Sequence, residues 1–201
     1  MSNEEPIQVI GNPGEFDLSF KKLSEENGLS TYSLEMKSDR PTTLNPINLK
    51  WSTPAHNVKG VWSTNALHEK RLRADWESSS VEARLSVDAP VMCLFGHEDE
   101  NILTFACSDV IGTTVLEAPV REEDSLIYCQ IKLFTERMPM TDHYQTQIWI
   151  DRRGFNFGKA IEAVGQWWAS FEQLQPAPTP DLARMPLYST WYAYHQVMTE
   201  N

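Results

Sequence analysis

Positive charge is scarce in this 201-residue sequence: 17 Lys and Arg stand against 28 Asp and Glu, a formal net charge of −11. The densest basic run is Lys70-Arg71-Leu72-Arg73, which reads as a solvated turn or strand edge. Nucleic acids are held by clustered cations, so nucleic acid is not an expected partner. The same charge repels anionic lipid but is indifferent to a neutral sugar. Met1-Ser2-Asn3-Glu4-Glu5-Pro6 has neither the basic start nor the apolar run of a secretory signal. No stretch reaches the roughly 20 apolar residues of a membrane span, so the expectation is a cytoplasmic chain that does not enter a membrane.

Cysteine is also sparse. Cys93, Cys107 and Cys129 are odd in number, lie in apolar strand-like runs and show no CxxC spacing. They read as buried free thiols in a reducing compartment. His56, His68, His97, His143 and His195 are scattered without HxH or HExxH spacing, and neither GxSxG nor a phosphate-binding glycine loop occurs. No metal and no cofactor are expected. Internal repeats and low-complexity tracts are missing as well.

What is present is an ordinary globular balance, 41% hydrophobic and 22% charged, with seven Trp, a high number for this length. From Leu29 onward the pattern alternates: Tyr32, Leu34 and Met36 share one face, and Val81, Ala83, Leu85 and Val87 another. Further strands are expected at Ile47 to Trp51, Val58 to Trp62, Leu72 to Trp76, Val91 to Phe95, Ile102 to Cys107, Gly112 to Ala118, Leu126 to Phe134 and Tyr144 to Ile150. Pro41, Pro46 and Pro54 separate the earlier runs and exclude long helices there. Gly96 to Asn101 reads as a polar hairpin loop. Some ten short strands with polar connections point to a mainly β protein, an antiparallel sandwich of two extended sheets.

The period changes after the turn signal Asp151-Arg152-Arg153-Gly154. Phe157, Ile161, Val164, Trp168, Phe171 and Leu174 fall on one helical face, with Asn156 as N-cap and Trp167 flanking the stripe. The spacing predicts a helix over 157–174, packed on the sandwich or on a following domain. Gln175-Pro176-Ala177-Pro178-Thr179-Pro180-Asp181 then reads as a stiff extended linker. The expected organisation is therefore a sandwich domain over 1–175 including the helix, a linker over 176–186, and a new element from 187 to 201.

That element, Pro186 to Gln196, is rich in rings and strand formers. Leu187, Ser189, Trp191, Ala193 and His195 fall on one face of a strand, and Tyr188, Thr190, Tyr192 and Tyr194 on the other. Rings on both faces suit a strand buried in a parallel sheet, or a C-terminal edge strand completing the preceding domain. Upstream, Trp51-Ser52-Thr53-Pro54, Gly60-Val61-Trp62 and Asp75-Trp76 put a Trp at the end of each of three strands, beside turns. Such rings could stack on sugar faces while carboxylates and amides take hydroxyls; equally, they could be three core residues.

Tyr188-Ser189-Thr190-Trp191-Tyr192, with His195 and Gln196 behind it, resembles the first barrel strand of the melibiase-type α-galactosidases of glycoside hydrolase family thirty-six. The pattern of Trp51, Pro54, Gly60, Trp62 and Asp75-Trp76 resembles the same family. The resemblance implies an N-terminal β-supersandwich domain followed by the first strand of a truncated (β/α)8 barrel. It further implies that Trp62, and less directly Trp51, reach the sugar pocket, and that Trp191 and Tyr192 line it. The nucleophilic and acid/base aspartates would stand on later barrel strands, so the fragment alone would be inactive. A neutral galactoside, the chain's own catalytic barrel and a further copy of the chain are the implied partners. Retaining hydrolysis needs two carboxyl groups about 5 Å apart, whereas Glu98-Asp99-Glu100 and Glu122-Glu123-Asp124 read as solvated loop acids. His195 shares the face of Trp191, where a structural hydrogen bond is the simpler role. A free-standing sugar-binding sandwich and a purely structural module are the competing readings.

Overall fold

A computed structural model describes residues 6–64, 80–83, 88–98, 100–136, 138–175 and 177–186. Among these residues twelve strands form two antiparallel sheets. In chain order they are β1 (Gln8–Gly11), β2 (Asp17–Glu26), β3 (Leu29–Thr42), β4 (Ile47–Pro54), β5 (Gly60–Ser63) and β6 (Ser80–Ala83). Then follow β7 (Val91–Phe95), β8 (Asn101–Cys107), β9 (Thr114–Glu117), β10 (Val120–Arg121), β11 (Leu126–Leu133) and β12 (Thr141–Asp151). One sheet runs β1-β4-β11-β9-β6 with β10 beside β11, and the other runs β2-β3-β12-β8-β7-β5. The mainly β, two-sheet architecture expected from the alternation is thus the observed one.

Period-two alternation determines which side chains meet between the sheets. Ile47, Leu49 and Trp51 of β4 turn inward with Leu116 of β9 and Ile127, Cys129, Ile131 and Leu133 of β11. Leu34 and Met36 of β3, Met92 and Leu94 of β7, Leu103, Phe105 and Cys107 of β8, and Ile148 and Ile150 of β12 answer them from the second sheet. The first sheet's outer face is polar: the Asn48 amide donates to Gln130 Oε1 at 2.8 Å, and Lys132 Nζ to Glu117 Oε1 at 2.7 Å.

The second sheet's outer face is different, because its central strands carry Cys93, Ala106 and Trp149 outward and all three are buried. The α-helix α1 (Phe157–Ala169) packs on this face: Ala160 and Val164 are buried, and the Trp167 ring meets Trp149 at 5.3 Å. Val164 of the expected stripe is buried as expected, while Ala160, outside that stripe, is buried with it. Phe157 is 44% exposed. The helix also stops short of the expected 174, at Ala169. Phe171 is extended (φ −87°, ψ 127°), residues Glu172–Leu174 form a single 3-10 turn, and the Gln175 side-chain amide donates to the freed carbonyl of Ala169. Apolar residues three apart at 168, 171 and 174 fit a three-residue turn as well as a helix, which is why the pattern overran.

The first forty residues hold two strands that alternation from Leu29 onward does not include. β1 pairs with β4, and β2 pairs with β3 around a two-residue turn at Asn27-Gly28, where both residues have positive φ (49° and 86°). Asn-Gly is the sequence signature of such a turn. The chain divides into two compact units, Met1–Trp167 and Trp168–Asn201. In the second, Pro180 is extended (φ −64°, ψ 149°) and Asp181–Arg184 form a 3-10 turn. The expected strand over Leu72 to Trp76 and the terminal strand over 187–201 lie outside the described residues.

Candidate functional site

Four residues are expected to contact sugar: Trp51, Trp62, Trp191 and Tyr192. The last two lie outside the described residues, as do Asp75, Trp76 and His195. Trp51 and Trp62 are both described, and the structure separates them. Trp51 stands inward on β4, 2% exposed, with its ring edge-on to Phe105 at 5.1 Å between centroids. It is a core ring of the sandwich, so the expectation of a rim platform at Trp51 is not what the structure displays. The reason is parity: Trp51 shares its face with Ile47 and Leu49, both of which point between the sheets.

Trp62 has the opposite parity. On β5, Val61 points into the core and Trp62 points out. Its row crosses the second sheet through Cys93 and Thr104 to Asp151. Among the described residues β5 is the last strand of its sheet, paired only with β7. The Trp62 ring meets Phe157 at 4.6 Å and 71°. The indole is half-buried rather than enclosed.

The position of Phe157 follows from how α1 begins. Asn156 caps the helix, its Oδ1 accepting from Lys159 N at 3.0 Å, as its residue type predicts. The preceding residue is tied to the sheet, since Asn101 N donates to Phe155 O at 2.8 Å and Glu100 forms an isolated bridge with Asn156. The turn before it is held by Asp151, 4% exposed, which accepts from Arg153 N and Nε at 2.9 Å and from Arg153 Nη2 at 2.7 Å. That carboxylate raises the Arg153 pKa. The guanidinium in turn lies over the Phe155 ring at 4.4 Å and Trp149 at 5.7 Å. The sequence pattern points to Trp62 but not to Phe157 as its partner. The turn signal Asp151 to Gly154 was visible; its role as the brace of a ring cluster was not.

Chemically, this rim offers flat apolar rings beside cationic and amide groups. Among the described residues no three His, Cys, Asp or Glu side chains gather as they would around a metal ion. The described carboxyl groups with clearly displaced acidity, Glu25, Glu35 and Asp124, are all displaced downward by hydrogen-bonded cationic partners, first Lys22, Lys37 and Arg121 respectively. A general acid for glycoside cleavage needs the opposite shift.

The three thiols are free and buried. Burial pushes Cys93 up to about 11, although Thr104 Oγ1 donates to its sulfur at 3.6 Å, and pushes Cys107 up to about 12. Cys129 is raised further by the same cause. Thiols so far from the thiolate form are poor nucleophiles and poor metal ligands. No described helix is long and apolar enough to cross a membrane.

Together the fold and rim define a class: an antiparallel two-sheet β-sandwich with an outer helix, bearing an aromatic cluster at the last described strand of one sheet. No protein-family model matches this chain, and no curated protein matches it.

Proposed function

We propose that this chain is the N-terminal supersandwich domain of an α-galactosidase-like retaining glycoside hydrolase, working in the cytoplasm. In this reading the domain supplies aromatic surface to a sugar pocket completed by a catalytic barrel. Trp62 is the residue assigned to the pocket from the described part of the chain, joined by Trp191 and Tyr192 of the terminal motif. Trp51 serves the core on which Trp62 is mounted. Oligomer contacts belong to the same proposal.

The observation that carries the reading is the placement of Trp62. Its neighbour in the sequence pattern is enclosed at 2% exposure, while Trp62 itself stands outward on the last described strand of its sheet with an exposed Phe157 at its flank. A half-buried ring held rigidly from one side is suited to stacking against a flat sugar face. The order of elements supports it too: sandwich, helix, proline-containing segment, then the aromatic motif of 188–196. Neutral sugar is compatible with a surface of net charge −11.

The test uses the whole gene product. It should release galactose from an aryl α-galactoside, and Trp62→Ala should reduce kcat/KM by roughly tenfold, the loss of about 1.4 kcal/mol of ring contact in the complex. Urea unfolding of the variant checks that the sandwich is intact. Unchanged kinetics in a folded variant would remove Trp62 from the pocket.

A free-standing sugar-binding sandwich makes a different demand. It needs the Trp62 and Phe157 pair to hold a sugar without the barrel that the first reading places opposite it, and one ring pair on an open surface encloses too little of a sugar for tight binding. Titration of residues 1–201 with galactosides, followed by tryptophan fluorescence, should therefore give no saturable change; saturation would favour the free-standing reading.

A further inference from the structure

The Asn27-Gly28 turn at the tip of the β2–β3 hairpin has a chemistry independent of any sugar site. Asn27 is the one asparagine of the chain followed by glycine. Both turn residues are exposed. The Asn27 side-chain amide is held only by a long contact, Nδ2 to Glu26 Oε1 at 3.5 Å. We propose that Asn27 is a spontaneous modification site, at which the side-chain amide is lost and the backbone is rebuilt as a mixture of aspartyl and isoaspartyl linkages.

The step balances without an outside reagent other than water. The Gly28 backbone nitrogen attacks Asn27 Cγ, a C–N bond forms, and the amide nitrogen leaves as ammonia, giving a five-membered succinimide. Water then opens the ring at either carbonyl. Opening at one restores the normal chain with an aspartate; opening at the other routes the backbone through the side chain and adds a methylene to it. Glycine has no Cβ to obstruct the attack, and its nitrogen carries the hydrogen that must be lost.

The other described asparagines are each blocked or slowed. Asn12 and Asn45 precede Pro13 and Pro46, whose nitrogens carry no hydrogen. Asn101 is 3% exposed. Asn156 is held as the helix cap and precedes Phe157. Asn48 is engaged with Gln130 and precedes Leu49. Asn57 is the natural comparison, since it too is exposed with positive φ (68°), but β-branched Val58 follows it.

The fold governs the rate. Glu26 pairs with Leu29 across the turn, and Gly28 O accepts from Arg152 N at 2.8 Å, which ties the tip to the end of β12. Ring closure requires the peptide between Asn27 and Gly28 to rotate out of the turn, so it proceeds through local opening of the hairpin tip. Once formed, an isoaspartyl linkage is one methylene too long for a two-residue turn and removes the Gly28 contact with Arg152. It also adds a carboxylate beside Glu25 and Glu26.

The experiment holds the purified 201-residue chain in mildly alkaline buffer at body temperature and follows it by proteolytic peptide mapping. The Asn27 peptide should gain the mass of an amide turned acid several-fold faster than the Asn57 peptide, with an isoaspartyl fraction that an isoaspartate methyltransferase labels. Asn27→Gln, whose attack would need a larger ring, should abolish the gain at this position. Conversion of Asn27 no faster than Asn57, or conversion without any isoaspartyl product, would overturn the proposal.

Discussion

Trp51 and Trp62 are the same side chain in strands of the same sandwich, and parity gives them different work. The alternation that put Ile47, Leu49 and Trp51 on one face was readable in the sequence, and it already argued for a core ring; the family resemblance pulled the other way. What could not be read was the partner of Trp62, because Phe157 is distant in sequence and reaches it only through the cap at Asn156 and the brace at Asp151. Residue-scale electrostatics yields its own expectation. Arg121 donates to Asp124, which also accepts from Tyr128 and from Leu126 N, and these contacts depress its pKa to about 2 from an ordinary 3.8. A carboxyl group depressed in the folded state stabilises above its unfolded pKa and loses that contribution as pH falls through the folded one. The difference in urea midpoint between the native chain and Asp124→Asn should therefore be small, because the pair is solvent-exposed, and should shrink between about pH 4 and about pH 2. A difference that grows on acidification would contradict this assignment.

Secondary elements were legible where the period was clean. β4, β7, β8, β11 and β12 coincide with their expected runs to within a few residues, since each alternates or forms a short apolar run with polar flanks. β9 begins later than the expected Gly112, at Thr114, because Asp109 Oδ1 accepts from Ile111 N at 3.1 Å and Gly112 N at 2.8 Å and holds those residues in a loop. β2 was missed although Asn27-Gly28 marks its hairpin: much of it is exposed and charged, so its hydrophobic pattern is faint. The helix was legible in kind and in its cap, less so in its end. Two substitutions test its attachment. Asn156→Ala should cost about 1 kcal/mol by removing the bond to Lys159 N. Trp149→Ala should cost about 3 kcal/mol, since it strips the ring between Arg153 and Trp167. Both should accelerate amide hydrogen exchange in α1 more than in β11; equal acceleration in the two elements would contradict a helix attached through this outer layer.

At the scale of the whole molecule, the two sheets use their outer faces differently. One presents a polar face of Asn48, Gln130, Lys132 and Glu117, and the other buries Cys93, Ala106 and Trp149, with the helix against Trp149. The second of these faces is the one that carries Trp62. Strand periodicity is enough for the sandwich, because alternation is a direct consequence of a sheet with one face in a core. It is not enough for an activity, which lives in a site and here rests on the terminal motif and on one outward tryptophan. The most direct measurement is to read the coding sequence beyond Asn201. The account predicts an open frame of several hundred further residues in alternating strands and helices, with aspartates ending two of the strands. A stop codon directly after Asn201 would contradict it.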